Sequence, residues 1–168
     1  MMERISKPTE IKHWLGDMEA GHYHYTAGLA GERFFTALRD EGKILGSRCK
    51  SCGITYLPPR IYCERCFAEL EEFVDLGLRG EVRSFTIARI DREGRPLERP
   101  EIEIRALISF SFGEDKGEGE TTSPSLLHLL GEVEPEEVYI GMEVEAHLKP
   151  KRKREGKITD ILYFRPVK

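Results

Sequence analysis

Two C-x-x-C pairs, Cys49 with Cys52 and Cys63 with Cys66, contain all four cysteines of the chain and stand ten residues apart. Each C-x-x-C turn places two thiolates on one side of a tight loop, and a short hairpin that brings two such turns together completes a tetrahedron around Zn²⁺. Gly53 follows the first pair, where the departing backbone favours a positive φ. Phe67 follows the second pair, so the two turns differ. Two disulfides, a thioredoxin-like redox pair or four unrelated buried thiols would also use these residues. Disulfides need an oxidising compartment, and the opening MMERISKPTE has no apolar stretch of the kind that directs a chain to one. A redox pair needs no second copy. Four cysteine ligands close the coordination shell, so one Zn²⁺ held by Cys49, Cys52, Cys63 and Cys66 is expected to be structural. Arg48, Lys50, Arg60 and Arg65 surround it in sequence and either offset the charge of the thiolates or meet an anionic ligand.

A ribbon of about 30 residues has no adequate core without its metal, so the rest of the 168-residue chain must supply one. The composition, 39% hydrophobic and 33% charged, is that of a globular protein. No run approaches the ~18 apolar residues of a membrane helix, and a cytoplasmic location is expected. The formal net charge of −4 disfavours a dedicated nucleic-acid binder. Charge is unevenly spread, with a basic Lys149–Lys157 against acidic stretches at Glu114–Glu120 and Glu132–Glu145.

Ile11, Trp14, Leu15 and Met18 are spaced as one face of a short helix. His22 and His24 alternate with Tyr23 and Tyr25; with His13 they lack a carboxylate or cysteine at ligand spacing, and an aromatic docking segment is the better reading. A second helix is expected over Gly31–Glu41, with Phe34, Ala37 and Leu38 on one face and Gly42 ending it. Ile54–Leu57 reads as a strand halted by Pro58 and Pro59, which cannot donate to a ladder and so mark the ribbon's turn, with Arg60 beside it. Phe73, Val74 and Leu76 belong either to a closing ribbon strand or to the first barrel strand. Beyond them, strands are predicted over Arg79–Ile87, Glu101–Phe112, Ser125–Leu130, Met142–Leu148 and Ile158–Phe164. Five short strands fit a closed barrel, the OB-fold being the commonest solution, although an SH3-like barrel or small sandwich has a similar count. The fold class is therefore mainly β: an N-terminal helical segment over 1–43, a rubredoxin-like zinc ribbon over 44–76 and an OB-fold barrel over 77–168.

The order of Phe34-Phe35 and Leu38, Gly42-Lys43, Arg48-Cys49 to Cys52-Gly53, Tyr56, Pro58-Pro59-Arg60, Cys63 to Cys66, and Val82, Ser84, Phe85 and Thr86 resembles the zinc-ribbon/OB-fold proteins associated with acyl-CoA metabolism. Ile140-Gly141-Met142 and Tyr163 to Pro166 are similar as well. The resemblance implies a partner of enzymes rather than an enzyme: a subunit bridging acetoacetyl-CoA thiolase and hydroxymethylglutaryl-CoA synthase in mevalonate synthesis, sharing in a coenzyme A pocket. Consistently, every cysteine is committed to metal, whereas thiolysis needs a free nucleophile. For coenzyme A, Arg60 on its proline-stiffened turn is the leading candidate, with Tyr56 beside it and Arg48 and Lys50 behind. Tyr23, Tyr25, Phe34 and Phe35 are the candidates for enzyme docking. The competing class is a single-stranded nucleic-acid module using Lys151–Lys157 with Phe85, Phe110 or Phe112 as stacking platforms.

Overall fold

The computed structural model describes residues 26–91, 93–98, 101–111 and 123–167. The expected helix around Ile11–Met18, the residues His13, His22, Tyr23, His24 and Tyr25, and Phe112 lie outside the described residues.

Helix α1 spans Gly28–Asp40 and buries Ala30, Phe34, Ala37 and Leu38. That stripe begins at Ala30, so the helix starts before the expected Gly31. It ends where the sequence places its stop: the amides of Glu41 and Gly42 both donate to the Ala37 carbonyl at 2.9 Å, and Gly42 takes φ +74°.

Strands β1 (Leu45–Arg48), β2 (Thr55–Tyr56) and β3 (Glu72–Asp75) form an antiparallel sheet in the order β2-β1-β3. Residues 73–74 therefore close the ribbon. β1 enters the first cysteine turn, β2 leaves it, and the chain passes through the second turn before β3 returns alongside β1.

Strands β4 (Arg79–Ala88), β5 (Glu103–Ser109), β6 (Ser125–Leu130), β7 (Glu143–Leu148) and β8 (Ile161–Pro166) close a barrel in the order β4-β5-β6-β8-β7. Every pair is antiparallel except β6 with β8. The last strand starts at Ile161 rather than at Ile158, because Ile158–Asp160 forms a 3-10 turn whose Asp160 carboxylate accepts the amides of Glu155, Gly156 and Lys157. Alternation turns Val82, Ile104, Ala106, Ile108 and Val144 inward. Phe110 meets Phe164 edge-on at 6.1 Å in this interior, so it packs the core and offers no stacking platform.

One apolar core joins the parts: Phe34 and Leu38 of the helix, Ile44, Val74 and Leu76 at the ribbon's base, and the barrel interior are contiguous. The ribbon's tip has only the small cluster of Cys49, Tyr56, Cys63 and Leu70. Among the described residues no helix is long and apolar enough to cross a membrane.

Candidate metal centre and adjoining groove

The ribbon brings the four cysteine Sγ atoms to within 4.8 Å of one another. Cys49 and Cys66 stand 3.5 Å apart, as do Cys52 and Cys63, so the close pairs join the two turns. A tetrahedron with metal–sulfur bonds of about 2.3 Å has edges near 3.8 Å, whereas a disulfide needs about 2.05 Å. The donor set fits a tetrathiolate metal site. The two turns repeat one backbone device: Gly53 N–H donates to the Cys49 carbonyl at 2.8 Å, and Phe67 N–H donates to the Cys63 carbonyl at 2.9 Å. Gly53 has φ +77° and Phe67 φ +59°, so Phe67 adopts the left-handed conformation that Gly53 takes cheaply.

The Tyr56 hydroxyl lies 3.1 Å from Cys63 Sγ inside this cluster. As donor it favours the thiolate, and with the Cys66 and Arg65 amides it outweighs burial and lowers the Cys63 thiol to about 6. Cys52 moves the other way. The Ile54 amide favours its thiolate, but burial and the three neighbouring thiols prevail and push it up to about 12. Crowded thiols resist joint ionisation, which is the electrostatic condition that a bound cation relieves.

Outside the centre, the Leu57-Pro58-Pro59-Arg60 turn, with a cis Leu57–Pro58 peptide, folds back on β1. Arg60 N–H donates to the Oγ of fully buried Ser47 at 2.8 Å. The Arg60 guanidinium lies 5.1 Å from the centroid of the Tyr56 ring and pairs with Glu64. Arg60 thus covers a face of the ring whose hydroxyl, at the ring's edge, reaches Cys63.

Arg60 also borders an apolar groove of about 640 Å³. Leu29 and Phe35 of α1 form one wall, Pro58, Pro59 and Ile61 a second, and Leu126 and Ile158 of the barrel a third. Among the described residues Arg60 is the one charged residue in that lining. A shallow apolar trough with a half-exposed guanidinium at its rim can accept an elongated, largely apolar ligand carrying an anionic group.

The structure sorts the residues singled out from sequence. Tyr56, expected to line the groove, is 7% exposed and its hydroxyl is engaged by Cys63, so it supports Arg60 from beneath. Phe34, expected at a docking surface, is 3% exposed and belongs mainly to the core, while half-buried Phe35 faces the groove. Arg48 and Lys50 lie at the first cysteine turn and do not line the groove. Leu29, Ile61, Leu126 and Ile158 also line the groove, and nothing in the sequence distinguishes an apolar residue at a groove from one in a core.

Residues 36–71 match the family described as ChsH2, rubredoxin-like zinc ribbon domain. The chain is similar to a DUF35 domain-containing scaffold protein of Methanocaldococcus jannaschii, 27% identical over 137 residues that cover 80% of this chain and 89% of the relative. It is likewise similar to a DUF35 domain-containing scaffold protein of Pyrococcus furiosus, 30% identical over 138 residues, 80% of this chain and 91% of the relative. Among solved structures, a DUF35-family protein from Sulfolobus solfataricus superposes with a TM-score of 0.56 at 32% identity, covering 89% of this chain and 91% of that one. A chain of the Ltp2-ChsH2(DUF35) aldolase shares the fold, with a TM-score of 0.54 at 22% identity over 80% of this chain and 91% of that one.

Proposed function

Because the chain belongs to the DUF35 family, we propose that it is a non-catalytic, zinc-binding scaffold that bridges a thiolase and hydroxymethylglutaryl-CoA synthase and helps hold the coenzyme A moiety as acetoacetyl-CoA passes between them. The observation that carries this reading is the groove itself, an apolar trough of about 640 Å³ whose one charge among the described lining residues, Arg60, is braced by the cysteine-bearing ribbon. A pantetheine arm suits the apolar walls, and a phosphate suits the guanidinium. The four cysteines, Cys49, Cys52, Cys63 and Cys66, would hold one Zn²⁺ per chain, which supplies coordination only. With all of its cysteines in that centre the chain has no thiol left for acyl transfer, in keeping with a partner of enzymes. The scaffold names of the relatives support the scaffold part of this assignment.

Reconstitution with the thiolase and synthase of the same cell tests it. The full-length protein is expected to assemble with both and to raise coupled flux from acetyl-CoA without turnover of its own. Arg60→Ala should keep assembly and zinc but weaken coenzyme A retention about 10- to 100-fold, the loss of a charge-assisted hydrogen bond of ~1.5–3 kcal/mol. Failure of the unmodified protein to assemble with a thiolase removes the bridging reading, and wild-type retention by Arg60→Ala removes Arg60 from the ligand site.

A further inference from the structure

Six of the nine residues from Lys149 to Lys157 are Lys or Arg, in a chain of net charge −4. Three of them are used within the loop: Lys149 Nζ lies 3.5 Å from the Asp160 carboxylate, Arg154 Nε donates to the Lys149 carbonyl at 2.8 Å, and Lys157 pairs with Glu155 at 2.8 Å. The other three, Lys151, Arg152 and Lys153, make up one 3-10 turn and are all exposed. Among the described residues none of the three has a carboxylate within ion-pair distance; Asp40, which feels the charge of Lys151, is itself paired with Arg39 at 2.7 Å.

The turn is built rather than loose. Lys153 N–H donates to the Pro150 carbonyl at 2.8 Å and Arg154 N–H to the Lys151 carbonyl at 3.2 Å. Behind it, the fully buried Asp160 carboxylate accepts the amides of Glu155 at 2.9 Å, Gly156 at 2.7 Å and Lys157 at 3.2 Å. Removing a carboxylate from water costs several kcal/mol unless hydrogen bonds replace its hydration, so a buried charge is committed to fixing the shape of a surface loop. Cations that served solubility alone would not require it.

Shape then selects the partner. A 3-10 turn has three residues per revolution, so consecutive side chains fan out by about 120° and do not converge on one phosphate. The turn also carries no aromatic residue on which a base would stack. Its complement is a surface bearing several spaced carboxylates. Glu155 and Gly156, next to the turn, line a cavity of about 710 Å³ together with Leu29 and Phe35, residues that the Arg60 groove shares, so the loop that carries the turn borders a cavity adjoining the groove. We propose that Lys151, Arg152 and Lys153 form an electrostatic docking site for an acidic face of a partner enzyme. The identity of that enzyme rests on the bridging reading above; the chemistry of the site does not.

The test compares full-length, zinc-loaded wild type with a variant carrying Lys151→Gln, Arg152→Gln and Lys153→Gln, and with a control carrying Lys151→Arg and Lys153→Arg. Association with the thiolase and synthase is followed at ~0.05 M and ~0.3 M salt, on either side of a Debye length of about 10 Å. Neutralisation should slow association about tenfold or more at low salt, leave dissociation within about twofold, and cost little at high salt. The arginine control should match wild type. Unchanged association and salt dependence in a complex that forms normally would overturn the proposal. If neither enzyme binds the wild type, the bridging reading fails, and a polyglutamate peptide becomes the probe. Peptide binding that is lost on neutralisation upholds an acidic-protein site; no peptide binding, or tighter binding of a single-stranded oligonucleotide, overturns it.

Discussion

Replacing Tyr56 by Phe removes one oxygen from the metal centre and leaves everything else in place. The ring keeps its position in the cluster of Cys49, Cys63 and Leu70 and remains beneath the Arg60 guanidinium, so packing and the cation–ring contact survive. What goes is the buried donor 3.1 Å from Cys63 Sγ. A hydrogen bond to a charged group contributes ~1.5–3 kcal/mol, and outer-shell partners of metal ligands typically alter metal affinity 10- to 100-fold. Zinc affinity, read by competition with a chromophoric chelator, should fall by that factor while the stoichiometry stays at one. Because metal binds the folded chain, each tenfold loss costs ~1.4 kcal/mol of stability at saturating zinc, and the melting temperature should fall ~3–10 °C for a chain of this size. Affinity within about twofold of wild type would refute a thiolate-stabilising role for the hydroxyl. A loss as deep as that of Cys63→Ser would refute it too, since it would mean that Tyr56 holds the fold rather than the ligand.

Chelation should raise amide exchange across residues 49–70 before it reaches β5 and β6, because only the ribbon tip depends on metal for its core; simultaneous loss of protection in both would contradict this. Phe67→Gly should raise the denaturant midpoint by up to ~1 kcal/mol of stability, since Phe67 holds φ +59° while 81% exposed and so packs little; a lower midpoint would mean that the ring makes a contact of value. For Asp160, burial alone would raise the carboxyl, but the amides of Glu155, Lys157 and Gly156 outweigh it and hold it below the usual range. Its stabilisation is present above the unfolded value near 3.9 and is lost as pH falls through the lower folded value, so Asp160→Asn should destabilise at pH 7 and flatten acid unfolding below about pH 4. An unchanged acid limb in the variant would exclude Asp160 as its source.

The metal centre was legible because its ligands are local: two turns of four residues each determine where two sulfurs go, whatever the rest of the chain does. The barrel was legible because one buried face per strand leaves a period of two, as in Glu103-Ile104-Arg105-Ala106. The groove was not, because it is made by three segments that meet only after folding: Leu29 and Phe35, Pro58 to Ile61, and Leu126 with Ile158. Phe34 and Phe35 are chemically identical neighbours, and only the direction of the helix stripe separates the core residue from the groove residue. Asp160 was hidden for a related reason. The sequence reads Asp160 as part of a strand over Ile158–Phe164, and its capture of three amides is visible only in three dimensions.

The unbroken core from Leu38 through Ile44 and Leu76 to Val82 leaves no hinge between helix, ribbon base and barrel. Swinging the helix wall of the groove away from the barrel wall would expose several of these side chains, at roughly 1.5–3 kcal/mol for each large one. Thermal motion seldom supplies that. A bridging protein built in this way acts as a gauge block: it sets the spacing and angle of whatever it touches, and any movement needed to hand on an intermediate must come from the bodies that it joins.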